Sequence, residues 1–80
     1  MWYVYILECQ GGTLYTGVTT DVERRLKDHQ AKKARYTSYN PPKQMLYQER
    51  FDSKSGACKR EAEIKRFTRK KKLELIARSS

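Results

Sequence analysis

The sequence predicts a single small α+β domain, a three-stranded, mainly antiparallel sheet flanked by helices in the order β-β-α-β-α-α. Three observations lead there. The first residues form an aromatic and β-branched run with apolar residues on both alternating faces. A Gly-Gly pair follows it and introduces a second short strand. Two stretches with apolar spacing of a helix then bracket a third strand. At 80 residues the chain has room for one core and not for two, so residues 1–80 are read as one domain.

Residues 2–9 favour a strand. Tyr3, Tyr5, Leu7 and Cys9 fall on one face, and Trp2, Val4, Ile6 and Glu8 on the other. Both faces are largely apolar, which predicts a central strand covered on both sides. Gln10-Gly11-Gly12 is a hairpin signal, and Leu14 to Val18 reads as the returning strand. A two-residue turn would pair Glu8 with Tyr15 and send Tyr5 and Tyr15 to opposite faces. A three-residue loop would pair Leu7 with Tyr15 and Tyr5 with Gly17, placing both rings on one face about 7–8 Å apart at Cα. Composition does not choose between these registers.

Thr19-Thr20-Asp21 opens a helix, with capping-box spacing between Thr20 and Glu23. Val22, Leu26 and His29 make its stripe through about Gln30, flanked by Arg25, with Arg24 on the opposite side. Residues 31–43 read as a loop, since Pro41-Pro42 forbids a helix. Gln44 to Phe51 is the third strand, with Met45, Tyr47 and Phe51 expected on one face. Asp52, Ser53 and Ser55 offer caps for a helix over 54–67, whose stripe is Ala57, Glu61 and Ile64, with Phe67 at its flank. Thr68 caps a last short helix over 69–78, with Leu73, Ile76 and Ala77 facing inward. Lys70, Lys71 and Lys72 lie in its first turn, where the helix dipole disfavours cations.

Charge and composition narrow the function. Eighteen Lys and Arg against nine Asp and Glu give +9, and the mean hydropathy is −0.96, so an anionic partner is expected. Nine aromatics, six of them tyrosine, argue against plain disorder. No run is long and apolar enough for a membrane span, and the start does not fit a signal peptide. Cys9 and Cys58 are expected as reduced, buried thiols in a cytoplasmic protein. With one histidine, a four-ligand structural zinc site is not expected. A hydrolytic triad would have to use His29, and no serine or cysteine elbow accompanies it.

Two residues fit a purely structural account poorly. Glu61 stands in an apolar stripe, where a carboxylate must reach solvent, pair with Arg60 or Lys65, or bind a metal. Arg25 flanks the core side of the first helix beside His29. Tyr3 and Tyr47 read as core tyrosines with hydroxyls at the rim. Gly17, two residues after Tyr15, marks a bulge or a close backbone approach.

Tyr3-Val4-Tyr5, Tyr15-Thr16-Gly17, Arg25, His29 and Glu61 together resemble the GIY-YIG nuclease domain, over residues 3–67, and most closely its small standalone bacterial members. The stretch from Leu14 to His29 carries the most specific part of the likeness. The resemblance implies phosphodiester hydrolysis with one Mg²⁺ or Mn²⁺ ion. It implies that Glu61 holds the metal, that Arg25 neutralises charge on the phosphate, and that Tyr5, or His29 through it, takes a proton from the attacking water. Tyr15 would position water or phosphate. Tyrosine, with an ordinary pKa of about 10, needs nearby cations to act as a base at neutral pH. Three features depart from the family pattern. Tyr3 stands where the first motif opens with glycine, Thr16 where the second has isoleucine or valine, and Lys72 to Ile76 hold no asparagine where better-studied members have one.

The partner implied is nucleic acid, DNA ahead of RNA, bound by a monomer without a membrane. Lys32, Lys33, Arg35, Tyr36 and Tyr39 mix cations with stackable rings, and Lys70, Lys71 and Lys72 could reach a flanking phosphate. Two rivals stay open at this stage: a nucleic-acid-binding module of the same fold with little or no activity, and an RNA-directed nuclease.

Overall fold

The computed structural model describes residues 1–9, 11–30 and 42–79, without the side chains of 29, 30, 42, 43 and 79. The elements are β1 (Trp2–Cys9), β2 (Leu14–Thr19), α1 (Val22–Gln30), β3 (Pro42–Phe51), α2 (Lys54–Lys65) and α3 (Arg69–Ser79). The sheet order is β2-β1-β3, and both pairings are antiparallel. β1 is therefore the central strand. Val4, Ile6 and Leu7 are fully buried, and Tyr5 is 1% exposed.

The sheet separates two apolar layers. On one side Val4, Ile6 and Tyr47 pack with Ala57 and Ile64 of α2, joined by Trp2, Phe51, Phe67, Leu75 and Ile76. On the other, Tyr5, Leu7 and Cys9 pack with Tyr15, Leu26 of α1 and Met45. Burying a large apolar side chain stabilises by about 1.5–3 kcal/mol. A strand that buries both faces thus contributes more than either edge strand.

The hairpin adopts the three-residue loop. The Cys9 N–H donates to Thr13 O at 2.8 Å and the Gly12 N–H to Cys9 O at 3.0 Å. Gly11 and Gly12 have φ of +87° and +85°, a region that L side chains rarely enter. This loop length pairs Leu7 with Tyr15 and Tyr5 with Gly17. Both tyrosines consequently share the α1 face.

Several local expectations need correction. Met45 does not share a face with Tyr47 and Phe51. The register passes from Ile6↔Tyr47 to Leu7↔Met45, leaving Leu46 as an extra residue that flips the alternation. β3 also begins earlier than Gln44, because Pro42 pairs with Cys9, and a proline is tolerated at a strand's first residue. The cap of α1 is Asp21 rather than Thr20: the Arg24 N–H donates to Asp21 Oδ1 at 3.1 Å. α2 ends at Lys65, short of Phe67, with Arg66 as its C-cap. In α3, Leu75 and Ile76 pack on the core, while Leu73 is 43% exposed and Ala77 is exposed. Lys72, Leu75 and Ile76 form the inward stripe at i, i+3 and i+4.

Other expectations hold. Ser53 caps α2 by accepting from the Gly56 N–H, and Thr68 caps α3 by accepting from the Lys71 N–H, each at 3.2 Å. Cys9 and Cys58 are free thiols; Cys9 is buried as expected, whereas Cys58 is only half-buried and departs from the expectation. No described helix is long and apolar enough to cross a membrane.

Candidate active site

The site begins with a glycine. Opposite Tyr5 on the neighbouring strand, Gly17 presents only backbone, and the Tyr5 ring lies directly against it. A Cβ added there would come within 2.6 Å of Tyr5 Cζ. The ring thus reaches out over the edge strand instead of standing upright in the core. There it meets Tyr15, with ring centroids 6.2 Å apart and planes inclined by 25°. The register, a diagonal between facing strands, sets this encounter.

α1 supplies the cation. Its Asp21 cap and the packing of Leu26 hold the helix against the Tyr5 face. Arg25, one residue before Leu26, then lies at the margin of that face. Its Nε donates to Tyr5 Oη at 3.4 Å, and its guanidinium also interacts with the Tyr15 hydroxyl.

α2 supplies the carboxylate. Ala57 and Ile64 anchor the helix at 0% exposure, and Glu61 stands between them in the stripe with its side chain 24% exposed. It reaches the rim and pairs with Lys65 at 3.5 Å. Its charge is felt at the Tyr5 hydroxyl. Arg60 is occupied elsewhere, by Glu49 and Glu63. Tyr47 donates its hydroxyl to Glu49, a core tyrosine with a polar rim contact.

Burial pushes the Tyr5 phenol above 10.0, aided by the nearby Tyr15 and Glu61, and outweighs the lowering by Arg25. The cation is in place, yet the phenol keeps its proton at neutral pH. The same shift has a consequence for stability. A raised pKa means that the folded state holds this proton more tightly than the unfolded chain. The contribution is fully present below the unfolded value near 10 and is lost as pH rises through the folded value. Ultraviolet titration is expected to find tyrosines ionising above the ordinary range, Tyr5 among them, with unfolding setting in on the alkaline side. Replacing Arg25 with alanine should move the Tyr5 transition further up. A Tyr5 transition that stayed put or moved down would contradict the contact.

Of the residues that sequence marks for chemistry, Tyr5, Tyr15 and Arg25 are in mutual contact and Glu61 lies within electrostatic reach. The His29 backbone falls in the last turn of α1, and its side chain lies outside the described residues. Lys32, Lys33, Arg35, Tyr36 and Tyr39 also lie outside them. The three lysines of α3 do not act as one patch, since successive helical residues diverge. Lys70 is exposed, Lys71 sits 4.3 Å from the Phe67 ring, and Lys72 is half-buried beside Leu14, Tyr15 and Thr16. Spacing alone did not select Thr16 or Lys65, which line one hollow together with Leu14, Tyr15 and Lys72. The signal for Thr16 is a hydroxyl at an inward position between Leu14 and Val18.

Among the described residues no three His, Cys, Asp or Glu side chains gather into a metal cage. A single carboxylate at the rim nevertheless suits a hard ion such as Mg²⁺, which keeps several waters and takes one or two protein oxygens plus phosphate oxygens. Glu61 fits that donor set.

A small antiparallel sheet that lays two tyrosines side by side, with a guanidinium from one helix and a carboxylate from another, defines a domain of the GIY-YIG nuclease type. The chain matches the GIY-YIG catalytic domain over residues 1–74, and it belongs to that family. It is 51% identical to a UPF0213 protein of Staphylococcus saprophyticus, over 94% of this chain and 93% of that one. It is 53% identical to a UPF0213 protein of Natronomonas pharaonis, over 94% and 89%. Among solved structures it resembles the solution NMR structure of a UPF0213 protein from Bacillus halodurans. The two are 46% identical with a TM-score of 0.62, covering 96% of this chain and 84% of that one.

Proposed function

We propose that this protein is a Mg²⁺- or Mn²⁺-dependent endonuclease that hydrolyses phosphodiester bonds in DNA, selecting structure over sequence, in repair or DNA turnover in the cytoplasm. The observation that carries the reading is the Tyr5–Tyr15 pair with Arg25 donating to Tyr5, within electrostatic reach of the Glu61 carboxylate at the rim. A packing role alone would not call for a guanidinium on two phenols. The net charge of +9 supports a polyanionic substrate, and the two free thiols suit a reducing compartment.

In this reading each residue takes a role. Glu61 would hold the ion, which when bound supplies Lewis acidity to the scissile phosphate and its leaving oxygen. Arg25 would neutralise the charge that grows on the phosphate, and a preorganised donor of this kind is worth about 10²–10³ in rate. Tyr5, protonated at neutral pH, acts first as a donor that orients the attacking water or a phosphate oxygen. The proton from that water passes to His29, or to Tyr5 after added positive charge has released the phenol's own proton to solvent. Tyr15 orients phosphate through its hydroxyl.

The test is a substrate panel. Branched, single-stranded and duplex DNA, and RNA, are incubated with the purified chain in Mg²⁺, Mn²⁺ or EDTA. Cutting of branched or single-stranded DNA only with metal is the expected result. Equal cleavage in EDTA would overturn the metal-dependent reading. Cleavage confined to RNA would move the substrate. Binding without cleavage under every condition would favour the inactive module, for which the Glu61–Lys65 ion pair is the one favouring contact.

A further inference from the structure

Beside the tyrosine pair, β2 and the two C-terminal helices border an open hollow of about 320 Å³, lined by Leu14, Tyr15, Thr16, Lys65 and Lys72. Its two charged lining residues are both cations. Lys72 is half-buried in the first turn of α3, where the helix dipole already opposes it. Arg69 fixes that turn against the hairpin by donating to Gly12 O, so Lys72 is held beside β2 and not left to wander.

Thr16 adds an independent indication. It is 4% exposed, opposite Ile6 on an apolar face, and its Oγ1 is buried with no hydrogen-bond partner among the described residues. A buried hydroxyl left unpaired is costly, and such groups ordinarily find partners. The backbone points the same way. The Cys9–Thr13 hydrogen bond sets the phase of the β1–β2 ladder, so Ile6↔Thr16 is a non-hydrogen-bonded pair. The Thr16 N–H is thereby turned outward, to the open edge of β2. Two ammonium groups and the Thr16 amide at this edge, with the same residue's buried hydroxyl, are donors for an anion with several acceptor oxygens.

The hollow adjoins the candidate active site at two points. Tyr15 lines it and stacks on Tyr5, and Lys65 lines it and pairs with Glu61. We propose that it seats a phosphate of the nucleic-acid strand adjacent to the one at the Tyr5–Arg25–Glu61 cluster. Lys65 and Lys72 neutralise it, the Thr16 hydroxyl and amide donate to its oxygens, and Leu14 forms an apolar wall for the sugar. The subsite rests on the nuclease reading for the strand's direction past the cluster, and it makes substrate binding directional. Contacts of this type carry position and not sequence.

The test measures binding apart from cleavage, by fluorescence anisotropy of a labelled single-stranded oligodeoxynucleotide in EDTA. Thr16→Val and Lys72→Gln are each expected to weaken binding about tenfold. Lys72→Gln should also lower the slope of log K against log salt by about 0.7. Lys59→Gln, on the exposed face of α2, should weaken binding less than twofold. Thr16→Val should melt at or above the wild-type temperature, because it removes an orphaned hydroxyl. Lost affinity with retained stability cannot come from unfolding. Unchanged binding in Thr16→Val and Lys72→Gln, or an equal loss in Lys59→Gln, overturns the subsite. Should the wild type cut nothing in Mg²⁺ while both variants still bind tenfold more weakly, the subsite stands and the nuclease reading falls. Should the wild type cut while both variants bind normally, the reverse holds.

Discussion

Glu61→Gln is expected to lower metal-dependent cleavage by at least about a thousandfold while leaving binding in EDTA equal to or slightly tighter than wild type. The size follows from what is removed. An amide keeps the shape but not the charge that would hold a divalent ion, and the ion's stabilisation of phosphate charge goes with it. The tighter binding follows from removing one negative charge facing a polyanion. Stability should change little. The ion pair lost, with Lys65, is 56% exposed on the lysine side, and helical pairs of this sort are worth about 0.3–0.5 kcal/mol. Rates measured on wild type and variant purified side by side, with thermal melts of both, check the three statements. Equal cleavage by both proteins would remove Glu61 from the chemistry.

Gly17→Ala is expected to damage the site more than any other single added methyl. The new Cβ would lie 2.6 Å from Tyr5 Cζ and 2.9 Å from Tyr5 Cε1, so the ring must move. Tyr5 is 1% exposed, stacked on Tyr15 and bonded to Arg25, and it cannot move alone. Overpacking of this kind costs about 1–3 kcal/mol. Misplacing a reacting group by about 1 Å costs about a hundredfold in rate, so cleavage should fall at least that far. Gly11→Ala is the control. It meets open space but sits at φ +87°, so it should cost about 1 kcal/mol with cleavage unchanged. Urea unfolding and cleavage rates on both variants separate the two effects. A Gly17→Ala protein with wild-type rate would mean that the Tyr5 ring's position is irrelevant.

The elements were legible because their signals are local. An apolar run on two faces and the caps at Ser53 and Thr68 each act within a few residues. What could not be read depends on parity. The position of Tyr15 relative to Tyr5 turns on whether the hairpin loop has two residues or three, and a Gly-Gly pair accommodates either. Met45 was misplaced because the extra residue Leu46 is visible only against its partner strand. The inward face of α3 depends on where the sheet lies beneath it, so Leu75 and Ile76 displaced the expected Leu73. The candidate site was legible as a set of residues and not as a geometry. Its separate segments meet through the sheet, and the retained proton on Tyr5 comes from burial that spacing does not report.

The central claim is that Tyr5, Tyr15, Arg25 and Glu61 face one place where a divalent ion and a phosphate meet. The most direct measurement is paramagnetic broadening by substoichiometric Mn²⁺ in the NMR spectrum, with a non-cleavable oligonucleotide bound. The account predicts broadening centred on the amides around Glu61, Tyr5 and Tyr15, with the far end of α3 near Arg78 unaffected, and its loss in Glu61→Gln. Broadening centred elsewhere, or unchanged in that variant, would contradict it.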